Sequence, residues 1–173
     1  SAEIDAEVRA ALEQGASLYT LESEALIALA PDIIVTQDLC DVCSIDLETV
    51  RGTARRMNPQ PEVLSLDPKS LKEVLDDLLK VGRALGIEAQ ARAIHEALWT
   101  RVEAATRKPE GPTPKVAFIE WMEPLFVGGH WTPELIERAG GSHPLNPAGA
   151  KSIVVSPQAL IDLAPDYLVC APC

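Results

Sequence analysis

A segment repeated near the two ends of the chain constrains its fold more than any other feature. Residues 25–35 read ALIALAPDIIV and residues 159–169 read ALIDLAPDYLV, so eight of the eleven positions are identical. In each copy an apolar helical pattern ends at a Pro-Asp pair, because proline cannot continue a helix and disfavours helical backbone in the residue before it. The apolar run that follows is typical of a buried parallel strand. The repeat indicates two similar α/β lobes; the alternative is chance, since helix–Pro-Asp–strand is common in α/β proteins.

The residues between the copies predict one long helix that joins the lobes. Asp67 is placed to cap a helix and Pro68 to occupy its first position. Apolar residues then recur every three to four positions over a stretch of about 40 residues, which as one helix would span about 60 Å. Gly82 and Gly86 weaken the pattern and mark a candidate bend. We therefore expect an N-terminal lobe over 1–67, an interlobe strut helix over 68–107 and a C-terminal lobe over 108–173.

Three segments are expected at the carboxyl ends of strands, where open parallel α/β sheets bind ligands. They are 36–43, 120–131 and 170–173. The second segment holds two of the chain's three tryptophans and one of its two phenylalanines, in what the pattern predicts to be a loop. Aromatic side chains with a few polar groups suit a pocket for a large, partly apolar ligand. The alternative is that Trp121 and Phe126 fill the interior of the lobe.

If the lobes face each other, candidate ligand-binding residues come from both of them. From the first lobe and the second we expect, in chain order, Gln37, Cys40, Cys43, Trp121, Phe126, His130 and Trp131. His130 follows two glycines and directly precedes Trp131 and a helix start, so its ring is a candidate to reach the cleft and contact a ligand or a metal. A lone loop histidine is more often simply hydrogen-bonded.

The four cysteines form two Cys-x-x-Cys pairs, Cys40 with Cys43 and Cys170 with Cys173. The spacing within each pair is that of a metal knuckle, but the pairs lie much farther apart in sequence than those of a zinc ribbon. Both pairs follow equivalent strands, so they could meet in a tetrathiolate site for zinc or an iron–sulfur cluster. Inert thiols or local disulfides are the favoured alternative. A thioredoxin-like motif is disfavoured, because its Cys-x-x-Cys begins a helix.

Charge and motif content exclude several classes of function. The net charge of −11 argues against nucleic-acid binding, which needs clustered Lys and Arg. No apolar run approaches the roughly 20 residues of a membrane span. Glu120, Glu123 and His130 lie close enough in sequence for acid–base chemistry. An enzyme is nevertheless disfavoured, because the sequence has no nucleophile motif and no phosphate-binding glycine loop.

The sequence resembles the class III (strut-helix) substrate-binding proteins of ABC transporters, and within them the branch named for vitamin B12 or other corrinoids. The resemblance covers nearly the whole chain. It is carried by Ser17–Tyr19, Leu29–Gln37, Leu39–Cys43, Ile119–Trp121, Gly129–Leu135, Ala139–Gly141 and Pro165–Cys173. The Cys-Asp-Val-Cys and Gly-His-Trp-x-Pro-Glu blocks are fairly specific to that branch, whereas the Pro-Asp strand motif is shared by the whole class.

The resemblance implies an α/β fold with two Rossmann-like lobes, each with a parallel sheet, joined by one long helix. It implies a non-catalytic, monomeric receptor that captures a corrinoid or similar metal chelate for an ABC permease and needs no cofactor of its own. Such a receptor would be extracytoplasmic; a cytoplasmic location stays open, because no export signal is visible. Relatives carry an N-terminal strand–helix–strand unit, so we expect an incomplete first lobe. The alternative function is a metal- or cluster-binding protein using the four cysteines.

Overall fold

The structure is a computed structural model that describes residues 2–13, 18–38 and 45–171. Helices and strands are interspersed through these ranges, in agreement with the predicted α/β class. The helices are α1 (Ala2–Glu13), α2 (Ser23–Leu29), α3 (Leu47–Ala54), α4 (Leu71–Ala84), α5 (Glu88–Ala105), α6 (Thr132–Arg138) and α7 (Pro157–Leu163). The strands are β1 (Ile33–Gln37), β2 (Glu62–Leu66), β3 (Val116–Met122), β4 (Leu125–Val127), β5 (Ile153–Val154) and β6 (Tyr167–Cys170).

The strands form two separate sheets, one in each half of the chain. In the first sheet β1 and β2 are parallel, and Gln37 lies opposite Leu66 where both strands end. The second sheet has the order β5–β4–β3–β6. Its β3 and β6 are parallel, while β4 runs antiparallel to both β3 and β5. The two sheets confirm the predicted two-lobed α/β architecture. The second is mixed, because β3 and β4 form a hairpin within the segment predicted to be a loop.

Both copies of the repeat fold in the same way, as predicted. Helix α2 is followed by the cap residue Ala30 and helix α7 by the cap residue Ala164, where the backbone is left-handed with φ of 47° and 46°. The amide of each alanine donates to the carbonyl three residues before it, that of Ile27 or Ile161. A parallel strand, β1 or β6, then begins three residues after each cap. The eight shared residues therefore specify the same local geometry in each lobe.

The single strut helix expected over 68–107 is instead two helices, α4 and α5, packed side by side. Gly86 has φ of +68° and lies in the short turn between them, a left-handed conformation that glycine adopts without strain. The 3.6-residue pattern continues through both helices because each buries a face against the other. Only α5, with 18 residues, leads to the second lobe. It spans about 27 Å rather than 60 Å.

The main core of the second lobe lies on its sheet. Ala117, Ile119 and Val127 are almost fully buried there, and side chains from the following loop and α7 pack around them. Strand β6 differs from the buried strand that its sequence predicts: Tyr167 and Leu168 are 62% and 55% exposed. It lies at the edge of the sheet, where it pairs with β3 on one side only.

Within the described ranges, no helix combines the length and apolar character needed to cross a bilayer.

Candidate functional site

A largely apolar cavity of about 440 Å³ lies where β1 and β2 end, against the α4–α5 pair. Strand ends and the first residues after them supply one side of it, and Trp131 supplies a side chain from the second half of the chain. The lining residues are Gln37, Leu66, Pro68, Val74, Asp77, Leu78, Val81, Gly82, Ile87, Gln90, Ala91, Ile94 and Trp131. Its position matches the general rule that α/β sheets bind ligands at the carboxyl ends of their strands, and its volume is in the range of small-molecule sites.

Gln37, a predicted ligand residue, lies in the wall of this cavity. It is the last residue of β1 and is exposed, and its register partner Leu66 lines the same cavity. The next residue, Asp38, donates its amide to the Leu66 carbonyl at 3.1 Å. The amide side chain of Gln37 can both donate and accept hydrogen bonds. The carboxyl end of β1 therefore presents a side-chain amide that can form hydrogen bonds with a ligand.

Trp131, the second predicted residue in the wall, is positioned by a close-packed loop. Gly129 has no space for a side chain, because a Cβ there would lie 2.5 Å from both the Ala150 carbonyl oxygen and the Ser152 nitrogen. Asn146, only 2% exposed, donates to the Gly128 carbonyl at 3.2 Å and to the Lys151 carbonyl at 2.9 Å. Trp131 then forms the N-terminal cap position of α6. No pattern in the sequence marked Asn146, because a sequence alone does not distinguish a buried asparagine from an exposed one.

His130 precedes Trp131 but does not line the cavity. Its backbone is left-handed, with φ of 52°, and its amide donates to the Ala150 carbonyl at 2.6 Å. The imidazole lies 5.9 Å from the Trp131 ring, and its Nε2 is enclosed by protein without a hydrogen-bond partner in the described structure. The structure therefore places the His130 ring beside Trp131, with Nε2 shielded from solvent.

Trp121 and Phe126, also predicted ligand residues, face each other across the β3–β4 hairpin. Both are half-buried, and the Trp121 indole nitrogen donates to the Glu123 carbonyl at 2.8 Å. Neither residue lines the cavity that holds Gln37 and Trp131. The strand β4 explains why these aromatics occur together, since cross-strand aromatic pairs stabilise antiparallel hairpins.

The cysteine predictions fall mostly outside the described residues. Cys40, Cys43 and Cys173 lie there, whereas Cys170 ends β6 and is an exposed free thiol. In the described part of the chain, no group of three or more His, Cys, Asp or Glu side chains could hold a metal ion. The described geometry thus lends no support to the zinc or iron–sulfur alternative.

The walls of the cavity include polar residues that the sequence analysis missed. Asp77 on α4 is only 7% exposed and forms an ion pair with Lys80, with Oδ1 and Nζ 2.6 Å apart. Gln90 lines the cavity from α5. The sequence predicted one straight helix, in which Asp77 and Gln90 would not face the same cavity. They do so only because α4 and α5 are two helices packed side by side. The sequence feature that could have indicated them is that each is a polar residue on the otherwise apolar face of a helical pattern.

The sequence matches no protein-family model and no curated protein. Among solved structures, the periplasmic heme-binding protein HutB of Vibrio cholerae matches with a TM-score of 0.69 and 20% identity, over 87% of this chain and 58% of HutB. The periplasmic heme-binding protein BhuT, in complex with two hemes, matches with 0.68 and 20%, over 87% and 57%. The periplasmic vitamin B12-binding protein BtuF of Vibrio cholerae matches with 0.58 and 15%, over 90% and 60%.

These likenesses concern the fold, since the sequence identities are low. This chain spans less than two thirds of the length of each of these proteins. The match nevertheless covers 87–90% of this chain. It confirms the predicted resemblance at the level of architecture. The chain has the fold of the class III periplasmic substrate-binding proteins.

Proposed function

We propose that this chain is part of a non-catalytic binding protein that holds a large, planar, metal-containing macrocycle between its two lobes. The observation that carries the proposal is that Gln37 from the first lobe and Trp131 from the second line one cavity at the strand ends. An indole offers a flat apolar face to a macrocycle, and glutamine offers hydrogen bonds to its periphery. A cavity of this size would receive one edge of the ligand, and the remainder would lie between the lobes.

The polarity of the cavity favours a corrinoid as the ligand. No lysine, arginine or histidine is among the described residues that line it, and its one carboxylate is Asp77. A heme carries two ionised carboxylates, which need basic or hydrogen-bonding partners when they leave water. The side chains of a corrinoid such as cobalamin end largely in neutral amides. Gln37 and Gln90 can pair with amides without an uncompensated charge.

Heme is the second candidate ligand, and the similarity of fold to heme-binding proteins favours it. HutB and BhuT are described as heme-binding, whereas BtuF is described as binding vitamin B12. All three are periplasmic proteins by the same descriptions. We infer by analogy an extracytoplasmic location and delivery of the ligand to an ABC-type permease. A catalytic role and a metal site built from the cysteines form no part of this proposal.

Calorimetric titration with cyanocobalamin, on the wild type and on Trp131→Ala, tests the proposal. Truncating an aromatic residue at the centre of a binding site typically costs at least 2 kcal/mol, so we expect affinity to fall by roughly 30-fold or more. Trp121→Ala is the matched control, because Trp121 lies on the neighbouring hairpin and outside the cavity wall. It should change affinity much less than Trp131→Ala.

Two results would contradict the proposed site. If Trp131→Ala bound cyanocobalamin as tightly as the wild type, the ligand would not contact the cavity wall. If Trp121→Ala lost as much affinity as Trp131→Ala, the site would lie on the β3–β4 hairpin instead. Gln37→Ala should weaken binding without abolishing it, because it removes one hydrogen-bonding group of ordinary net strength, about 1 kcal/mol.

A further inference from the structure

The helix that carries Trp131 is fixed at both ends to the helices that form the cavity wall. Trp131 caps α6, and Glu134 lies one turn into that helix. The Glu134 Oε2 atom accepts a hydrogen bond from the amide of Leu71 at 2.9 Å. Leu71 is the first residue of α4, so its amide has no partner within its own helix. A carboxylate there also interacts favourably with the positive end of the helix dipole.

The second attachment runs from α6 to α5 through Arg138. The Arg138 Nε donates to Glu134 Oε1 at 3.0 Å, so the two residues hold each other in place. The Arg138 guanidinium lies 5.4 Å from the centroid of the Trp99 ring, and its Nη1 is 3.5 Å from Glu103 Oε1. Both Trp99 and Glu103 belong to α5. The Arg138 side chain is 28% exposed and that of Glu134 is 23% exposed, so solvent screens this pair only in part.

We propose that Glu134 and Arg138 are positioning residues that hold Trp131 against the cavity. This inference rests on the proposed function for its biological meaning, but its physical content is independent of any ligand. Residues of α4 and α5, among them Val74, Val81 and Ile94, form the cavity wall. The Glu134–Arg138 pair ties the Trp131 helix to both of those helices. Since α6 has only seven residues, a displacement at Glu134 reaches Trp131 directly.

The ligand-free test uses protein labelled with 5-fluorotryptophan, whose three ¹⁹F resonances are assigned by Trp→Phe variants. In Glu134→Gln, which keeps the size of the side chain and removes its charge, we expect the Trp131 resonance to shift or broaden. Glu137→Gln is the matched control, because Glu137 is an exposed residue of the same helix outside the Glu134–Arg138 contacts. An unchanged Trp131 resonance in Glu134→Gln would overturn the proposal.

The second test is a double-mutant cycle on cyanocobalamin affinity. If Glu134 acts through Trp131, Glu134→Gln should weaken binding about fivefold or more in the wild-type background. It should have little further effect in the Trp131→Ala background. Equal losses in both backgrounds would mean that Glu134 acts independently of Trp131, and the proposal would fail. Circular dichroism spectra that match the wild type would show that Glu134→Gln remains folded.

Arg138→Lys gives a second variant that keeps the charge. Lysine lacks the planar guanidinium that donates to Glu134 while lying over Trp99, so it should reproduce the Trp131 shift of Glu134→Gln in part. A Trp131 resonance identical to that of the wild type would contradict a positioning role for Arg138. If wild-type protein binds neither cyanocobalamin nor hemin, the proposed function fails. The ¹⁹F measurement still decides whether the pair positions Trp131.

Discussion

Two alanines, Ala30 and Ala164, hold left-handed backbone at the equivalent helix ends of the two lobes. Left-handed backbone brings the Cβ of an ordinary residue close to the following carbonyl oxygen and costs about 1–2 kcal/mol per residue. Glycine is the usual residue at such caps, because it has no Cβ. Both caps keep alanine, so each lobe carries the same local strain. The Pro-Asp pairs that follow prevent either helix from continuing.

Replacing either alanine by glycine should relieve this strain. We expect Ala30→Gly and Ala164→Gly each to raise the free energy of unfolding by up to about 1 kcal/mol, the relief being partly offset by the larger entropy of glycine in the unfolded chain. Urea denaturation measures the change. Ala93→Gly, at an exposed position inside α5, should instead destabilise by about 1 kcal/mol. Loss of stability in both cap variants would show that the caps are not left-handed.

Sequence patterns predicted some residues of the cavity wall and missed others for physical reasons. Gln37 could be named because a strand of recognisable composition ends there, and Trp131 because it is an aromatic residue in a segment expected at the end of a strand. Asp77 and Gln90 were missed, because their place in the cavity wall depends on how two helices fold back on each other. Glu134 was also not singled out, because a carboxylate in the first turn of a helix is favourable in any protein and marks no site. Its bond to Leu71 joins residues far apart in sequence, which no local pattern encodes.

Among the elements, the α4–α5 pair depends on close contact at one glycine. A Cβ added at Gly82 would lie 2.2 Å from the Cβ of Ala91, far inside van der Waals contact. His95 Nε2 lies 3.1 Å from Asp76 Oδ1, on an earlier turn of α4, so the helices run antiparallel. The helical periodicity was therefore predicted correctly, but the reversal at Gly86 was read only as a bend. Gly82 was a signal of close helix packing.

Gly82→Ala should destabilise the protein, because the added methyl group forces α4 and α5 apart. Overpacking of this kind typically costs about 1–3 kcal/mol, which denaturant unfolding would measure. Gly52→Ala is the matched control in α3, where an added Cβ would lie 3.8 Å from the flexible end of Arg55. It should be neutral or stabilising by up to about 1 kcal/mol. Equal effects of the two substitutions would contradict the close packing at Gly82.

The same helix pair should show an acid-dependent contribution to stability. The pKa of the Asp76 carboxyl is lowered, mainly because Lys72 donates a hydrogen bond to it; partial burial opposes this, and His95 lowers it further. A carboxyl whose folded pKa lies below its unfolded value stabilises the protein above the unfolded value, near pH 4. That stabilisation disappears as the pH falls through the folded pKa.

Asp76→Asn should therefore be less stable than the wild type at pH 7, by no more than about 1 kcal/mol. This difference in stability should shrink as the pH falls below about 4, since the wild-type carboxyl then becomes protonated and neutral, like the asparagine side chain. Thermal unfolding of both proteins across this pH range checks the prediction. A difference that stayed constant down to the lowest pH would show that Asp76 acts through its shape rather than its charge.

At the scale of the whole molecule, the two-lobed fold could be predicted because one copy of the repeat occurs in each lobe. Each copy contains its own helix end, turn and strand. These features are determined by residues that are neighbours in sequence, so they can be recognised without knowledge of the tertiary structure. The arrangement of the lobes could not be predicted in the same way. It depends on α5 being short and on contacts such as those of Arg138 with Trp99 and Glu103. The proposed ligand rests on one further step, the match between an uncharged macrocycle periphery and a cavity wall whose described residues include glutamines and no basic residue.

That the lobes hold an amide-bearing macrocycle is tested most directly by titrating the same protein with cyanocobalamin and with hemin. We predict tighter binding of cyanocobalamin, since the described cavity wall offers no cation to the carboxylates of heme. Tighter binding of hemin would contradict the assignment of the ligand while leaving a two-lobed receptor in place. Binding of neither would contradict the receptor itself.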